Sequence, residues 1–232
     1  MYQPFVFAIP CHTSYSTIKI LSNFLFVYNL RMDNSSKEII VDSNMSRDKI
    51  LNQNPENPAP KNILDSICVL DVKYYGFDGR VHVGQIVMSR VAIPDTQKFF
   101  NLAFQLKFPI EKVIPICNPK YKWDDVISCD DNNSSGFNYR LVLGTTRLSK
   151  HASGLAFDIN PRQNIYIKYD KKGNEMFRFP KDSVYDEKVM GTLVADNQLV
   201  IQMKNLGWQW GGDWTKESGR IDYQHFEKEL KY

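Results

Sequence analysis

The segment Ser149-Lys150-His151-Ala152-Ser153-Gly154-Leu155-Ala156-Phe157-Asp158-Ile159-Asn160 concentrates residue types able to hold a metal ion. Gly154 allows a sharp bend. Leu155 to Ile159 then alternates as a strand does, with Leu155, Phe157 and Ile159 toward a core and Ala156 and Asp158 on the opposite face. Small Ala156 leaves room beside Asp158, and His151 comes back to the same place across the bend. One imidazole and one carboxylate converging in this way are two ligands of the kind zinc takes. The chain has only 4 histidines, so a further imidazole has to come from His12, His82 or His225. His225 stands three residues after Asp222 in Gly219-Arg220-Ile221-Asp222-Tyr223-Gln224-His225-Phe226-Glu227. Residues three apart on a regular strand face opposite sides, so Asp222 and His225 can serve one site only across a turn or bulge. Two histidines and one carboxylate leave a fourth position for water, the layout of a catalytic zinc, and a free carboxylate beside that water could act as general base.

Each piece also has a plainer reading. His82 lies on an apolar element and reads as a core residue. His151 with Asp158, taken alone, reads equally well as a surface hydrogen bond. The tryptophans of Trp208-Gln209-Trp210-Gly211-Gly212-Asp213-Trp214 read by default as core and turn residues. Cys11, Cys68, Cys117 and Cys129 include no CxxC pair, so a cysteine zinc site is not expected. They read mostly as buried thiols, with Cys117–Cys129 the one local bridge worth testing.

The elements that must position these residues are mixed. Val69 to Tyr75 and Val81 to Met88 read as two strands around the turn Gly76-Phe77-Asp78-Gly79. Asp95 to Leu106 reads as an amphipathic helix, as does Asp196 to Leu206 with Gly207 at its C-terminal cap. Strands and helices do not alternate strictly, which favours an α+β domain, an antiparallel sheet flanked by helices, over a doubly wound parallel one. Three prolines among polar residues between Asn52 and Asn62 mark a linker. The expectation is an N-terminal extension over residues 1–61 and a compact domain over 62–232. The apolar run within Lys19 to Arg31 is shorter than the roughly 20 residues a bilayer requires, so no stable transmembrane anchor is expected. No small-x-small cleavage site follows it, so a signal is expected to be absent or uncleaved, and Met32 is an alternative start. With 29 Lys+Arg against 26 Asp+Glu the net charge is +3, and no Lys/Arg block is dense enough to track a phosphate backbone, so nucleic acid is not an expected partner.

From about Val72 to Glu227 the chain resembles the zinc-dependent peptidoglycan peptidases of the D-alanyl-D-alanine carboxypeptidase/L-alanyl-D-glutamate peptidase group. The family motif SxHxxGxAxD is present as Ser149, His151, Gly154, Ala156 and Asp158, and its acidic-x-x-His motif as Asp222 and His225, after Trp210-Gly211-Gly212-Asp213-Trp214. Gly76-Phe77-Asp78-Gly79, His82-Val83-Gly84-Gln85 and Ser135-Gly136-Phe137-Asn138-Tyr139-Arg140 resemble segments of the L-alanyl-D-glutamate branch. The resemblance implies a Hedgehog/DD-peptidase-like zinc peptidase domain. It implies His151, Asp158 and His225 as zinc ligands, Asp222 as general base, and Arg140 as the hydrogen-bond donor to the scissile carbonyl and its developing oxyanion. Ser149 would support the substrate or an adjacent ligand. The carboxypeptidase side commonly has Glu, with Trp before the His; Asp222 and Gln224 lean toward the endopeptidase side. The implied cofactor is Zn2+ and the implied partner is a peptidoglycan stem peptide cut at L-Ala–D-Glu. Cleavage at D-Ala–D-Ala, a non-catalytic zinc module that binds cell wall and a metal-free α+β domain are the alternatives. A wall substrate would require export or release by lysis.

Overall fold

Residues 38–51, 54–142 and 145–230 are described by the structure, a computed structural model. Strand β1 (Ile40–Val41) runs parallel to the second arm of a long hairpin, β2 (Ile67–Tyr75) and β3 (Val81–Ser89), which pairs from Ile67↔Ser89 to Tyr75↔Val81. The two arms are the expected strands, each one or two residues longer. A helical turn α1 (Arg47–Ile50) and a short helix α2 (Lys61–Ser66) lead into β2. Helix α3 (Ile93–Gln105) follows with Pro94 in its first turn, where a missing N–H costs nothing. β4 (Lys112–Val113) and β5 (Asn133–Ser134) form a small parallel pair around α4 (Asp125–Asp130).

The rest of the strands build two further three-stranded sheets. β7 (Tyr166–Tyr169) lies between β8 (Glu175–Phe179) and β10 (Arg220–Asp222). β11 (His225–Lys228) lies between β6 (Ala156–Asp158) and β9 (Trp208–Trp210), antiparallel to both. Helix α5 (Gln198–Asn205) precedes β9, capped by the Asn197 side chain, which accepts from the Leu199 N–H. The fold is therefore α+β with several small sheets in place of one large one, because every strand outside the hairpin is at most five residues long.

Alternation divides the sheet β6–β11–β9 into two faces. Phe157 and Phe226 stack at 5.1 Å between ring centroids and meet Phe99 of α3 edge-on at 5.2 and 5.7 Å. Trp208 closes the same aromatic core against Phe157. Leu155, Phe157 and Ile159 all enter this core, as their spacing requires. At its margin, buried Asp95 accepts from the Lys228 ammonium at 2.6 Å and the Trp208 indole at 3.1 Å, which fastens α3 to the sheet.

Residues ahead of the Pro-rich stretch also make contacts with the hairpin. Gln85 on β3 accepts from Ser43 Oγ and the Met45 N–H, and its amide reaches back to the Met45 carbonyl. Residues 40–51 thus belong to the packed body, held by side chains far along the sequence, while the Pro-rich stretch crosses its surface. Cys117 and Cys129 are free buried thiols, so no bridge forms between them, and Cys68 is buried as well. His12, Cys11, the apolar run within residues 19–31 and Met32 lie outside the described residues. Among the described residues no helix is long and apolar enough to cross a membrane.

Candidate metal centre

Register brings the first two ligand candidates together. β11 pairs with β6 so that His225 lies directly opposite Asp158, both on the face away from the aromatic core. His151 arrives from a 3-10 turn, Lys150–Ser153, whose N-terminal cap is Ser149. The Ser149 hydroxyl accepts from the His151 N–H at 3.3 Å. Gly154 ends that turn at φ +66°, and a Cβ there would stand 2.4 Å from the Ser89 nitrogen, so bend and close packing both require glycine.

The turn at Tyr223–Gln224 meets the condition for Asp222 and His225 to share a site. Asp222 ends β10 in one sheet and His225 begins β11 in another, so strand alternation does not carry across the pair. The Trp210 indole donates to the Tyr223 carbonyl at 2.8 Å and fixes this turn. Gly211 packs on Asp222 so closely that a Cβ would approach its carbonyl oxygen to 2.4 Å.

The donor atoms converge. His151 Nε2 lies 3.2 Å from Asp158 Oδ2 and 3.2 Å from His225 Nδ1, and His225 Nδ1 lies 2.9 Å from Asp158 Oδ1. Among the described residues this buried group of His151, Asp158 and His225 is the one of three or more such side chains that could hold a metal ion. Donors at zinc bond lengths stand roughly 3.3 Å apart in tetrahedral geometry, close to these separations.

The outer ring nitrogens assign the tautomers. His151 Nδ1 donates to the Gly136 carbonyl at 2.6 Å, and His225 Nε2 donates to Glu227 at 3.0 Å. In the neutral rings both inner nitrogens then carry lone pairs aimed at each other and at a carboxylate. Three such acceptors facing one another in a buried space call for a shared proton or metal ion, and two imidazole nitrogens with one carboxylate are a donor set that fits zinc.

The surrounding charges point the same way. Burial acts to raise the Asp158 carboxyl, but the two imidazoles override it and hold it well below the usual carboxylate range. Burial alone would lower His225, yet its bonds to Asp158 and Glu227 and the nearby Asp222 push it up to about 10. Asp222 behaves oppositely. Burial pushes its carboxyl up to about 7, against the lowering effect of His225, and Asp158 adds to the rise. Its Oδ1 is fully buried without a hydrogen-bond partner, an orphaned acceptor beside the cluster.

Arg140 is less committed to this centre. Its Nη2 pairs with Asp125 at 2.7 Å, while its Nε is buried without a partner. It nevertheless lies near enough to Asp158 for that charge to help hold the guanidinium protonated against desolvation. His82 is buried, in line with the core reading, and sits apart from the centre. Its Nδ1 meets Asp42 at 2.8 Å and its Nε2 meets Asp78 at 3.2 Å. Glu227, Gly136 and Asp125 carry contacts that the sequence reading assigned to no role. Glu227 had a usable signal, since it is two residues after His225 on the same strand face.

Residues 143–228 match the family model described as D-alanyl-D-alanine carboxypeptidase. The matched span contains Ser149, His151, Asp158, Asp222, His225 and Glu227, with Arg140 and Gly136 just before it. The match supports a peptidase of the peptidoglycan-related kind. No curated protein and no solved structure matches the chain.

Proposed function

We propose that this chain is a zinc peptidase that hydrolyses an amide bond in peptidoglycan stem peptides, the L-Ala–D-Glu bond, on a Hedgehog/DD-peptidase-like domain. The reading rests on one observation above the others: three lone-pair donors converge beside a carboxylate whose buried Oδ1 has no hydrogen-bond partner. Zinc held by His151, Asp158 and His225 would polarise a scissile carbonyl and lower the pKa of an attacking water toward about 7. Asp222 takes the proton from that water and passes it to the leaving amine. Its raised affinity for a proton suits both halves of the task. Arg140 offers its unpartnered Nε to the negative charge that develops on the carbonyl oxygen, while Asp125 fixes the guanidinium. Ser149 acts through the chain, capping the turn that carries His151.

The acidic residue and the residue before the histidine, Asp222 and Gln224, support the endopeptidase bond. A second reading, removal of terminal D-alanine, is favoured by the description of the matching family model. Mass analysis of muropeptides after digestion separates the two. Glycan capped by L-alanine together with free stem peptide is expected, whereas loss of D-alanine alone would move the assignment to the carboxypeptidase bond.

A further inference from the structure

Beside the ligand cluster lies an open groove of about 290 Å³ lined by Arg147, Trp214, Ser218 and Arg220. Trp214 connects the two places, since its ring centroid is 5.5 Å from that of His225. Arg220 lies two residues before Asp222 on β10, with its guanidinium carbon 4.2 Å from the Trp214 ring centroid. Stacking holds a guanidinium flat and leaves its N–H fork at the edge, ready for a planar bidentate partner.

Arg80, Arg140, Arg162 and Arg178 each pair with a carboxylate of the chain. Among the described residues neither Arg147 nor Arg220 has such an ion pair. The Ser218 hydroxyl has backbone carbonyls of Thr215 and Arg220 at 2.7 and 3.2 Å to donate to, which leaves anion binding to the two arginines. Two unpaired cations therefore face one groove, one of them held rigid, next to a cluster that is itself rich in carboxylates.

We propose that this groove is the subsite for a carboxylate of the substrate, gripped by Arg220 and Arg147, with Trp214 as the wall between it and the metal centre. The proposal rests on the peptidase reading and adds what holds the substrate in register. An extended peptide advances about 3.3–3.6 Å per residue. With Trp214 5.5 Å from His225 and Arg220 4.2 Å beyond it, a carboxylate in the groove belongs to a residue within a few positions of the scissile bond. Two carboxylates of a stem peptide answer to that chemistry, the α-carboxylate of the D-glutamyl residue and the C-terminal carboxylate.

The test is calorimetric titration of zinc-loaded Asp222→Asn protein with three forms of the pentapeptide L-Ala-γ-D-Glu-L-Lys-D-Ala-D-Ala. One form is the free acid, one carries an amide on the D-glutamyl α-carboxyl, and one carries a C-terminal amide. One of the two amides is expected to bind about tenfold more weakly or worse, the loss of a charge-assisted pair. Which amide does so identifies the carboxylate. In Arg220→Gln that discrimination is expected to vanish, and in Arg220→Lys to return in part, which a merely structural role would not produce. Equal binding of all three forms, binding of none, or discrimination that survives both Arg220→Gln and Arg147→Gln overturns the subsite. Hydrolysis of the free acid by the unmutated protein reports separately on the peptidase reading. Cleavage without discrimination removes the subsite alone, and discrimination without cleavage removes the peptidase alone.

Discussion

His225 is gripped at both ring nitrogens, by Asp158 on the inside and Glu227 on the outside, and the outer bond decides which nitrogen can bind metal. Glu227→Gln keeps the shape but removes the charge that makes the ring a strong donor. Zinc affinity measured by competition with a chelating dye is expected to fall about 10- to 100-fold. An unchanged affinity would mean that Glu227 does not orient the ring. On the proposed mechanism Asp222 would govern the pH dependence. Its carboxyl is raised to about 7, so it is neutral below that value and becomes a base as pH rises through it. A bound cation draws that midpoint lower. The acid limb of kcat/KM should therefore fall at or below pH 7, and Asp222→Asn should retain zinc, lose about 100-fold or more in turnover and lose that limb. A zinc-loaded variant with near-normal turnover would end the role of Asp222 as base. His151 and Asp158 were legible as ligand candidates from residue type, bend and strand pattern, whereas the choice of His225 among the remaining histidines came from the family resemblance. Glu227 was within reach of strand alternation, two residues after His225 on the same face, whereas the Gly136 carbonyl was not legible, since a backbone bond to an outer ring nitrogen depends on placement that residue types do not encode.

At the scale of elements, two local devices make the centre. One is the 3-10 turn ending at Gly154, which returns His151 to Asp158; the other is the sheet change at Tyr223–Gln224, which lets Asp222 and His225 share a space. Gly154→Ala confronts both a positive φ and the Ser89 backbone. The variant is expected to lose about 2 kcal/mol or more of stability in denaturant unfolding and to bind zinc more weakly. Unaltered stability and affinity would show that the bend is not what holds His151. The bend was readable because glycine announces it, and the hairpin and the two longer helices because their hydrophobic periods run long enough to declare themselves. Strand β1 was not readable. Two residues carry no period, and their place is set by Gln85, His82 and Tyr74, more than thirty positions away.

Across the described residues, an aromatic core backs the candidate metal centre, with Phe157 and Phe226 behind the strands whose opposite faces carry Asp158 and His225. The candidate centre and the core thus lie on two sides of one small sheet. The mild net charge of +3 understates a local arrangement in which carboxylates gather at the metal cluster and unpaired arginines gather beside it. Composition averages over that pattern, and only the fold displays it. The central claim is that peptide hydrolysis depends on a metal held by His151, Asp158 and His225. Its most direct test is the rate of stem-peptide cleavage by protein stripped with a chelator and then titrated with zinc. The account expects cleavage to disappear on stripping and to return in full at one zinc per chain. Stripped protein that cleaves at an undiminished rate would contradict it.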